Sequence, residues 1–368
     1  MILCIIAILF SVFFAWLAAN VKNKPLMILC SVVSILIPAI VGGLRQVGVG
    51  TDTKVYGYPN AMEAYTSESF IDFMFTKREP GYGLVCYLTM KIFGHVNWCF
   101  FFYQLITIGC FYVGAYKHRK VASLPLTMIC FFGLFYYSSF NIIRQSMAAS
   151  IIFMGINNLE EKKYWRFLAY IITAFMFHFS SVSLFVLILL PYFIMSRGLY
   201  VKYFILISFI ASIIFIRPIA TFAMQITRSL NLVPDRYFAY MDASHEYGMN
   251  RSEGFSRGIL LFQLGVLVIL FLYAGRGRKI LGRDNFNFYS FNFLFVIMLR
   301  DFVRLFPRLV LYNDFIDVIV YSSMPNFVKD KYMKFLLTAI VIFRMMFFGL
   351  RFIIGSQSNA EWEYRSIL

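Results

Sequence analysis

Residues 44–79 read LRQVGVGTDTKVYGYPNAMEAYTSESFIDFMFTKRE, and this polar stretch follows two apolar segments that are each hydrophobic enough to lie in lipid. It carries charged side chains of both signs, among them Arg45, Asp52 and Glu79, beside several glycines. A membrane protein uses such polar groups at a wet surface, where they are available for binding and chemistry. We therefore predict that this stretch forms the functional site and that the apolar segments hold it in place.

The composition excludes a soluble globular protein. Hydrophobic residues make up 60% of the 368 residues, charged residues make up 14%, and the mean hydropathy is +0.72. So few charges cannot cover the surface of a soluble chain of this length, and the long apolar runs differ from the short alternating strands of a barrel. The net charge of +16 is scattered between apolar runs, which argues against nucleic acid as a partner. We predict an all-α polytopic membrane protein in a lipid bilayer.

The apolar runs predict about twelve transmembrane helices, since a helix needs about 20 apolar residues to cross ~30 Å of hydrocarbon. The first run lacks the basic start and the cleavage site of a signal peptide, so we interpret it as a span. A further apolar helix over 81–94, ended by Gly94, is too short to cross and is predicted to be re-entrant or interfacial. We predict one integral membrane domain over 1–368, with spans at 2–20, 26–44, 97–116, 124–140, 142–157, 166–178, 182–195, 201–216, 258–274, 286–300, 309–324 and 335–354.

The short basic loops fix the predicted orientation, because lysine and arginine accumulate on the cytoplasmic side. With the predicted spans, half of the 34 basic residues fall in short loops on the same side of the membrane, which we assign to the cytoplasm. Lysine predominates in these loops. The segments 45–96, which includes the short helix, and 217–257 then become extracytoplasmic loops. The other basic residues are mainly arginine, which binds phosphate through two hydrogen bonds while staying charged. This asymmetry favours an outer site for an anionic ligand, although each arginine alone could instead pair with a carboxylate or a lipid headgroup.

No metal site is predicted. The six cysteines form no CxxC pair and lie mostly within apolar runs, and the four histidines neither cluster nor form an HExxH motif. We interpret the cysteines as structural thiols and expect the chain to work without a metal or other cofactor.

Five short patterns on the predicted outer side occur in a characteristic order. Taken together, they resemble the EpsG family of bacterial polysaccharide polymerases, a Wzy-like group, and the resemblance extends from about Leu26 to about Leu350. The last hundred residues resemble the family through an arginine-rich pair of spans more than through a motif. The patterns are LRQVGVGTDTKVY (44–56), REPGYGLVCYL (78–88), NIIRQSMAASI (141–151), FHFSSVS (177–183) and DRYFAYM (235–241).

The resemblance implies a membrane glycosyltransferase with a fold like that of the multispan glycosyltransferase-C group. Such a protein joins oligosaccharide repeat units carried on undecaprenyl diphosphate, at the outer side of the bacterial cytoplasmic membrane. The growing glycan leaves its lipid diphosphate and is transferred to a hydroxyl of the next lipid-linked unit, which yields exopolysaccharide, capsule or O-antigen. The partners implied are the lipid-linked donor and acceptor, together with a chain-length regulator and a flippase of the same pathway.

Arginines on the outer side are the candidates for binding the diphosphate, because a leaving diphosphate needs fixed positive charge where negative charge develops. Arg144 starts an apolar span, where an idle charge would be costly. Arg300, Arg304 and Arg308 are spaced by four, so on a helix they would share one face. For each candidate a structural role stays open. The set comprises Arg144, Arg300 and Arg304, then Arg45, Arg217 and Arg308, with Arg236 and Tyr237 of the loop 217–257 as candidates for binding the sugar.

Three residues are candidates for the base that accepts the proton of the acceptor hydroxyl. Asp52 lies in a glycine-rich segment, although its side chain could instead cap the helix that follows. Glu79 precedes Pro80 at the start of the short helix. His178 lies in an apolar stretch, where it is either a packing residue or a base held by hydrogen bonds from Ser180 and Ser181. The sequence leaves these three open.

Two alternatives remain. A ligase of the O-antigen type uses the same donor chemistry with a different acceptor, and the sequence does not separate the two. A transporter of lipid-linked glycan belongs to another class and commonly shows internal repeats with broken helices at matching positions. No such repeat is evident, and the polar groups gather on one side rather than at the midplane, which favours an enzyme.

Overall fold

The computed structural model describes residues 2–50, 52–76, 79–195, 225–226, 229, 257–300, 306–356 and 367. Within these ranges the secondary structure is helical and contains no β-strand, which confirms the all-α class. The α-helices are α1 Ile2–Asn20, α2 Lys24–Gly43, α3 Tyr58–Thr66, α4 Phe70–Thr76, α5 Pro80–Phe93, α6 Val96–Lys117, α7 Leu124–Phe131, α8 Ile143–Glu160, α9 Tyr164–Phe177, α10 Leu190–Met195, α11 Arg257–Leu272, α12 Ala274–Leu281, α13 Arg283–Arg300, α14 Phe306–Ser323 and α15 Lys331–Ser356.

Four described helices are long and apolar enough to cross a membrane: Ile2–Asn20, Lys24–Gly43, Val96–Lys117 and Lys331–Leu350. The other predicted spans within the described residues also coincide with helical segments, but these are shorter or more polar. For example, α9 has 14 residues and is about 21 Å long. The predicted span 201–216 lies outside the described residues. The count of about twelve spans therefore stays a prediction, while the apolar helices fit a membrane protein.

The predicted span 124–140 is a helix of three kinds. It begins as α7, continues as a π-helix over Phe132–Tyr136 and ends as a 3₁₀-helix over Ser138–Phe140. Such changes in helical pitch often accompany functional sites. The 3₁₀-helix leads directly into the turn before α8, where it places the residues that anchor the loop 50–57, described below.

The chain divides into two compact units, Met1–Val182 with Tyr321–Leu368, and Ser183–Val320. The prediction of a single domain over 1–368 stays a prediction. In the first unit α6 packs against α2 and α8, and α8 packs against α9. The rings of Phe111 and Phe153 stack across the contact between α6 and α8, with centroids 4.3 Å apart. In the second unit α10 and α12 pack against α13.

The short helix α5 agrees with the predicted helix 81–94 to within one residue at each end. Glu79 is extended (φ −126°, ψ 90°), as the residue before a proline tends to be, and Pro80 occupies the first turn, where its missing N–H costs nothing. Gly94 ends the helix in the left-handed conformation, and its N–H donates to the Met90 carbonyl. The proline thus fixes where Glu79 stands relative to the helix.

Candidate active site

The start of α5 lies against the end of α9, and this contact brings Glu79 to His178. A Cβ added at Gly81 would lie 3.0 Å from the Met176 carbonyl oxygen and 3.1 Å from the Phe177 ring. A larger residue there would require the end of α9 to shift by a few tenths of an ångström, so glycine allows the closest approach. Gly81 of the REPGYG segment therefore allows α5 and α9 to pack closely.

Glu79 joins two other predicted site residues in one hydrogen-bonded network. Its Oε2 accepts from Arg144 Nη1 at 2.5 Å, and its Oε1 lies 2.5 Å from His178 Nδ1. The Phe179 N–H also donates to Oε1, at 3.3 Å. The Glu79 side chain is only 5% exposed, whereas those of Arg144 and His178 are 28% and 26% exposed. The network is thus a buried carboxylate with two partners that reach the surface.

These partners keep Glu79 ionised. Burial alone would raise the pKa of this carboxyl, but the hydrogen bond from His178 and the charge of Arg144 outweigh it and lower the pKa. A carboxylate with a lowered pKa is a weak base. The geometry therefore favours Glu79 as the residue that orients His178, rather than as the base itself.

His178 is held in one tautomer. Since Glu79 Oε1 accepts hydrogen bonds, Nδ1 carries the proton, and in the neutral ring Nε2 then carries the lone pair. Nε2 has no hydrogen-bond partner among the residues that the structure describes. An imidazole fixed by a carboxylate at Nδ1 and open at Nε2 is the arrangement of a general base.

Ser181 acts differently from the prediction. The Ser181 hydroxyl donates to the His178 backbone carbonyl at 2.8 Å, so it fixes the end of α9 rather than the imidazole ring. The ring is oriented by Glu79, which lies 99 residues away in sequence. This partner is invisible in the sequence because it depends on the contact between α5 and α9.

Arg144 lies in the first turn of α8 near two tyrosine rings. Its Cζ is 4.9 Å from the centroid of Tyr56 and 5.8 Å from that of Tyr82. One of its five N–H donors is used by Glu79. The cap residue Ile142 forms no side-chain hydrogen bond to the helix start, so the helix N-terminus adds positive potential beside the guanidinium. Together these groups can bind an oxyanion such as a phosphate.

The sequence did not predict the two tyrosines as site residues. Tyr82 is buried and its ring stacks on Tyr103, with centroids 5.0 Å apart, whereas Tyr56 is 46% exposed. Both lie within the patterns that carry the family resemblance. Their place in these patterns could have marked them as candidates, but their contact with Arg144 is visible only in the folded structure.

The loop that carries Asp52 is anchored to the turn before α8. The Asp52 backbone N–H donates to Asn141 Oδ1 at 2.9 Å, and the Thr53 hydroxyl donates to the Phe140 carbonyl at 2.9 Å. Gly50 has a φ of +91°, and a Cβ there would lie 2.8 Å from the same carbonyl oxygen. The Asp52 side chain makes no capping hydrogen bond to the π-helix Thr53–Gly57 that follows it, so the alternative capping role is wrong.

Arg45 is part of the packing beneath this loop. Its side chain is fully buried, its Cζ lies 4.5 Å and 4.9 Å from the rings of Phe100 and Phe140, and its Nη1 donates to the Gly42 carbonyl at 3.0 Å. A guanidinium at this position has no face toward an external ligand. The predicted role of Arg45 in diphosphate binding thus finds no support in this geometry.

Several predicted site residues lie outside the described residues: Arg217, Arg236, Tyr237 and Arg304, with nearly all of the loop 217–257. Arg300 ends α13 and Arg308 lies in the first turn of α14, but the structure does not describe their side chains. Their predicted roles stay predictions. Within the described ranges, no group of three or more His, Cys, Asp or Glu residues is arranged to hold a metal ion.

A family model gives the decisive comparison. The model of the EpsG family matches residues 27–366, which is most of the chain and includes Glu79, Arg144 and His178. The chain belongs to the EpsG family. This confirms the resemblance inferred from the five patterns, and membership indicates a role in polysaccharide polymerisation. Neither the search of curated proteins nor that of solved structures found a match.

Proposed function

We propose that this EpsG-family protein is a membrane glycosyltransferase that polymerises oligosaccharide repeat units carried on a polyprenyl diphosphate such as undecaprenyl diphosphate. The observation that carries the proposal is the network of Glu79, His178 and Arg144, which combines an oriented base with an anion-binding guanidinium. The chain would work at the outer face of the bacterial cytoplasmic membrane, with about twelve spans in a glycosyltransferase-C-like fold.

His178 is proposed as the base. The acceptor hydroxyl oxygen forms the new bond to the anomeric carbon of the growing glycan, and its proton passes to His178 Nε2. Glu79 stabilises the imidazolium that forms, because its carboxylate remains hydrogen-bonded to Nδ1. Asp52 stays the second candidate for the base, supported by the anchoring of its segment to the residues that precede Arg144.

Arg144 is proposed to bind the leaving diphosphate. As the bond between the anomeric carbon and the diphosphate oxygen breaks, the electron pair leaves with the diphosphate. Fixed positive charge beside that oxygen stabilises the transition state. The guanidinium and the start of α8 supply such charge without a metal ion. Arg217, Arg300, Arg304 and Arg308 are proposed as further diphosphate ligands, with Arg236 and Tyr237 toward the sugar.

The test is polymer formation by the purified full-length protein in nanodiscs. The substrate is one synthetic lipid-diphosphate-linked repeat unit in EDTA, and a ladder of glycans is the readout. We expect the wild type to form the ladder, His178→Ala and Arg144→Lys to lose it, and the matched control His95→Asn to keep it, because His95 is exposed and asparagine can still accept the N-cap hydrogen bond of α6. An unchanged ladder in His178→Ala would remove the base from the proposal.

The same experiment separates the alternatives. A ligase forms no ladder from the repeat unit but transfers a preformed glycan to another acceptor. In cells, loss of a polymerase leaves single repeat units on the lipid, whereas loss of a ligase leaves full-length polymer that is not attached to its final carrier. A transporter shows neither reaction and instead moves the lipid-linked glycan across sealed vesicles. A chain-length regulator and a flippase of the same pathway are the proposed protein partners.

A further inference from the structure

Tyr56 is the exposed member of the aromatic pair around Arg144. Its ring centroid lies 4.9 Å from the guanidinium carbon, which is within the range of a cation–π contact. The second ring, that of Tyr82, is buried and stacked on Tyr103. The orientation of Arg144 thus depends on one fixed ring and on one ring that reaches the surface.

Tyr56 lies in the π-helix Thr53–Gly57, a turn that is tied to the same place as Arg144. Hydrogen bonds from Asp52 and Thr53 reach Asn141 and Phe140, which precede α8 by two and three residues. A Cβ added at Gly57 would lie 3.8 Å from the Ile143 side chain, so the end of the turn also borders the start of α8. This shared anchor holds the backbone of Tyr56 at a fixed distance from the start of α8, which carries Arg144.

With its hydrogen bond to Glu79 alone, the Arg144 guanidinium could still rotate about that hydrogen bond. A ring against its face restricts that rotation, and the N–H donors that Glu79 does not use then keep a constant direction. Pre-organised donors bind an oxyanion more tightly, because no ordering is left to take place on binding.

We propose that Tyr56 is a positioning residue, which holds Arg144 so that its remaining N–H donors face a diphosphate-type oxyanion. This inference rests on the proposed role of Arg144. Tyr56, which lies in the polar stretch 44–79, would thus control the affinity of the site for the diphosphate of the donor. Because the contact uses the ring face, the phenolic hydroxyl is not required.

The experiment measures the affinity of the full-length protein in nanodiscs for inorganic pyrophosphate by calorimetric titration. We expect Tyr56→Leu to bind roughly two- to thirtyfold more weakly, the range that corresponds to a cation–π contact. Tyr56→Phe keeps the ring and should bind within about twofold of the wild type. The matched control is Tyr58→Leu, which removes another exposed tyrosine two residues away and should leave the affinity unchanged. In polymerisation, Tyr56→Leu should raise KM for the donor more than it lowers kcat.

Two results would overturn the inference: wild-type affinity in Tyr56→Leu, or an equal loss in Tyr56→Phe, which would assign the effect to the hydroxyl. Thermal stability is measured on every variant, so that a loss through unfolding is recognised. Pyrophosphate binding does not require polymer formation, so the test stands even if the protein is a ligase. Absence of binding in the wild type would reject the anion site itself, and with it the role of Tyr56.

Discussion

Replacing Glu79 by glutamine tests the network most directly, because the change keeps the shape of the side chain and removes its charge. A glutamine offers one acceptor oxygen and one amide donor, whereas the carboxylate accepts from both Arg144 and His178. If the amide nitrogen faces His178, Nδ1 becomes the acceptor and the ring proton moves to Nε2. If it faces Arg144, two donors meet and the guanidinium is displaced.

Either outcome removes the proposed base or the proposed anion site, so we expect Glu79→Gln to lower kcat by about 10²- to 10⁴-fold. Breaking a fully buried ion pair costs about 3–5 kcal/mol. Because Arg144 and His178 are 28% and 26% exposed, water compensates in part, and we expect the free energy of unfolding to fall by about 2 kcal/mol.

The assay is steady-state transfer from a synthetic lipid-diphosphate-linked repeat unit, with thermal unfolding measured on the same preparation. Glu68→Gln is the matched control, because Glu68 is an exposed carboxylate of the same polar stretch. A Glu79→Gln protein that is folded and has a kcat within threefold of the wild type would refute the reasoning about the tautomer. An equal loss in Glu68→Gln would show that the assay responds to charge in general.

Three further predictions concern other parts of the structure. Both ring nitrogens of His118 face acceptors, Gly114 O at 2.8 Å and Glu160 Oε2 at 2.9 Å, and this contact with Glu160 raises the pKa of His118 although burial opposes it. The stabilisation is complete below about pH 6.5 and is lost as the pH rises through the raised value, so Tm should fall over that range, and His118→Gln should abolish the dependence. Gly81→Val should separate α5 from α9 and abolish polymerisation while the protein remains folded. Arg45→Met should leave kcat within about threefold, since a buried ion replaced by an apolar side chain is often tolerated.

Each of these predictions has a contradicting result. A Tm that rises as the pH increases above about 6.5 would mean that folding lowers the pKa of His118, and a constant Tm would mean that folding does not shift it. Full activity of Gly81→Val would show that the close helix contact is dispensable. A large rise in the KM for the donor in Arg45→Met, in a protein of normal stability, would restore Arg45 to the diphosphate site.

The positions of the apolar helices could be predicted closely because they depend on local features of the chain, whereas α3 and α4 in the polar stretch were not predicted. Apolar runs located the helices, and Pro80 and Gly94 marked the ends of α5. The change from α- to π- and 3₁₀-helix after Phe131 was not predicted, because pitch responds to packing rather than to hydropathy.

The residues of the candidate site were proposed from the sequence, but their arrangement was not. Glu79, Arg144 and His178 were all candidates, yet the sequence treated Glu79 and His178 as competing bases, whereas the structure joins them in one network. Arg45 shows the converse limit. A cation at the end of a span suggests a surface site, and only the fold reveals that Phe100 and Phe140 enclose it.

The pairing of Arg144 with Glu79 has a consequence for the proposed reaction after the bond to the diphosphate is broken. In that mechanism the Glu79 carboxylate stays beside the guanidinium, so it would compete with the leaving diphosphate for the same positive charge. An uncompensated arginine would hold the spent carrier lipid tightly and slow its departure. The internal counter-ion lowers that retention, and we expect it to help the site exchange one carrier for the next during repeated rounds of chain extension.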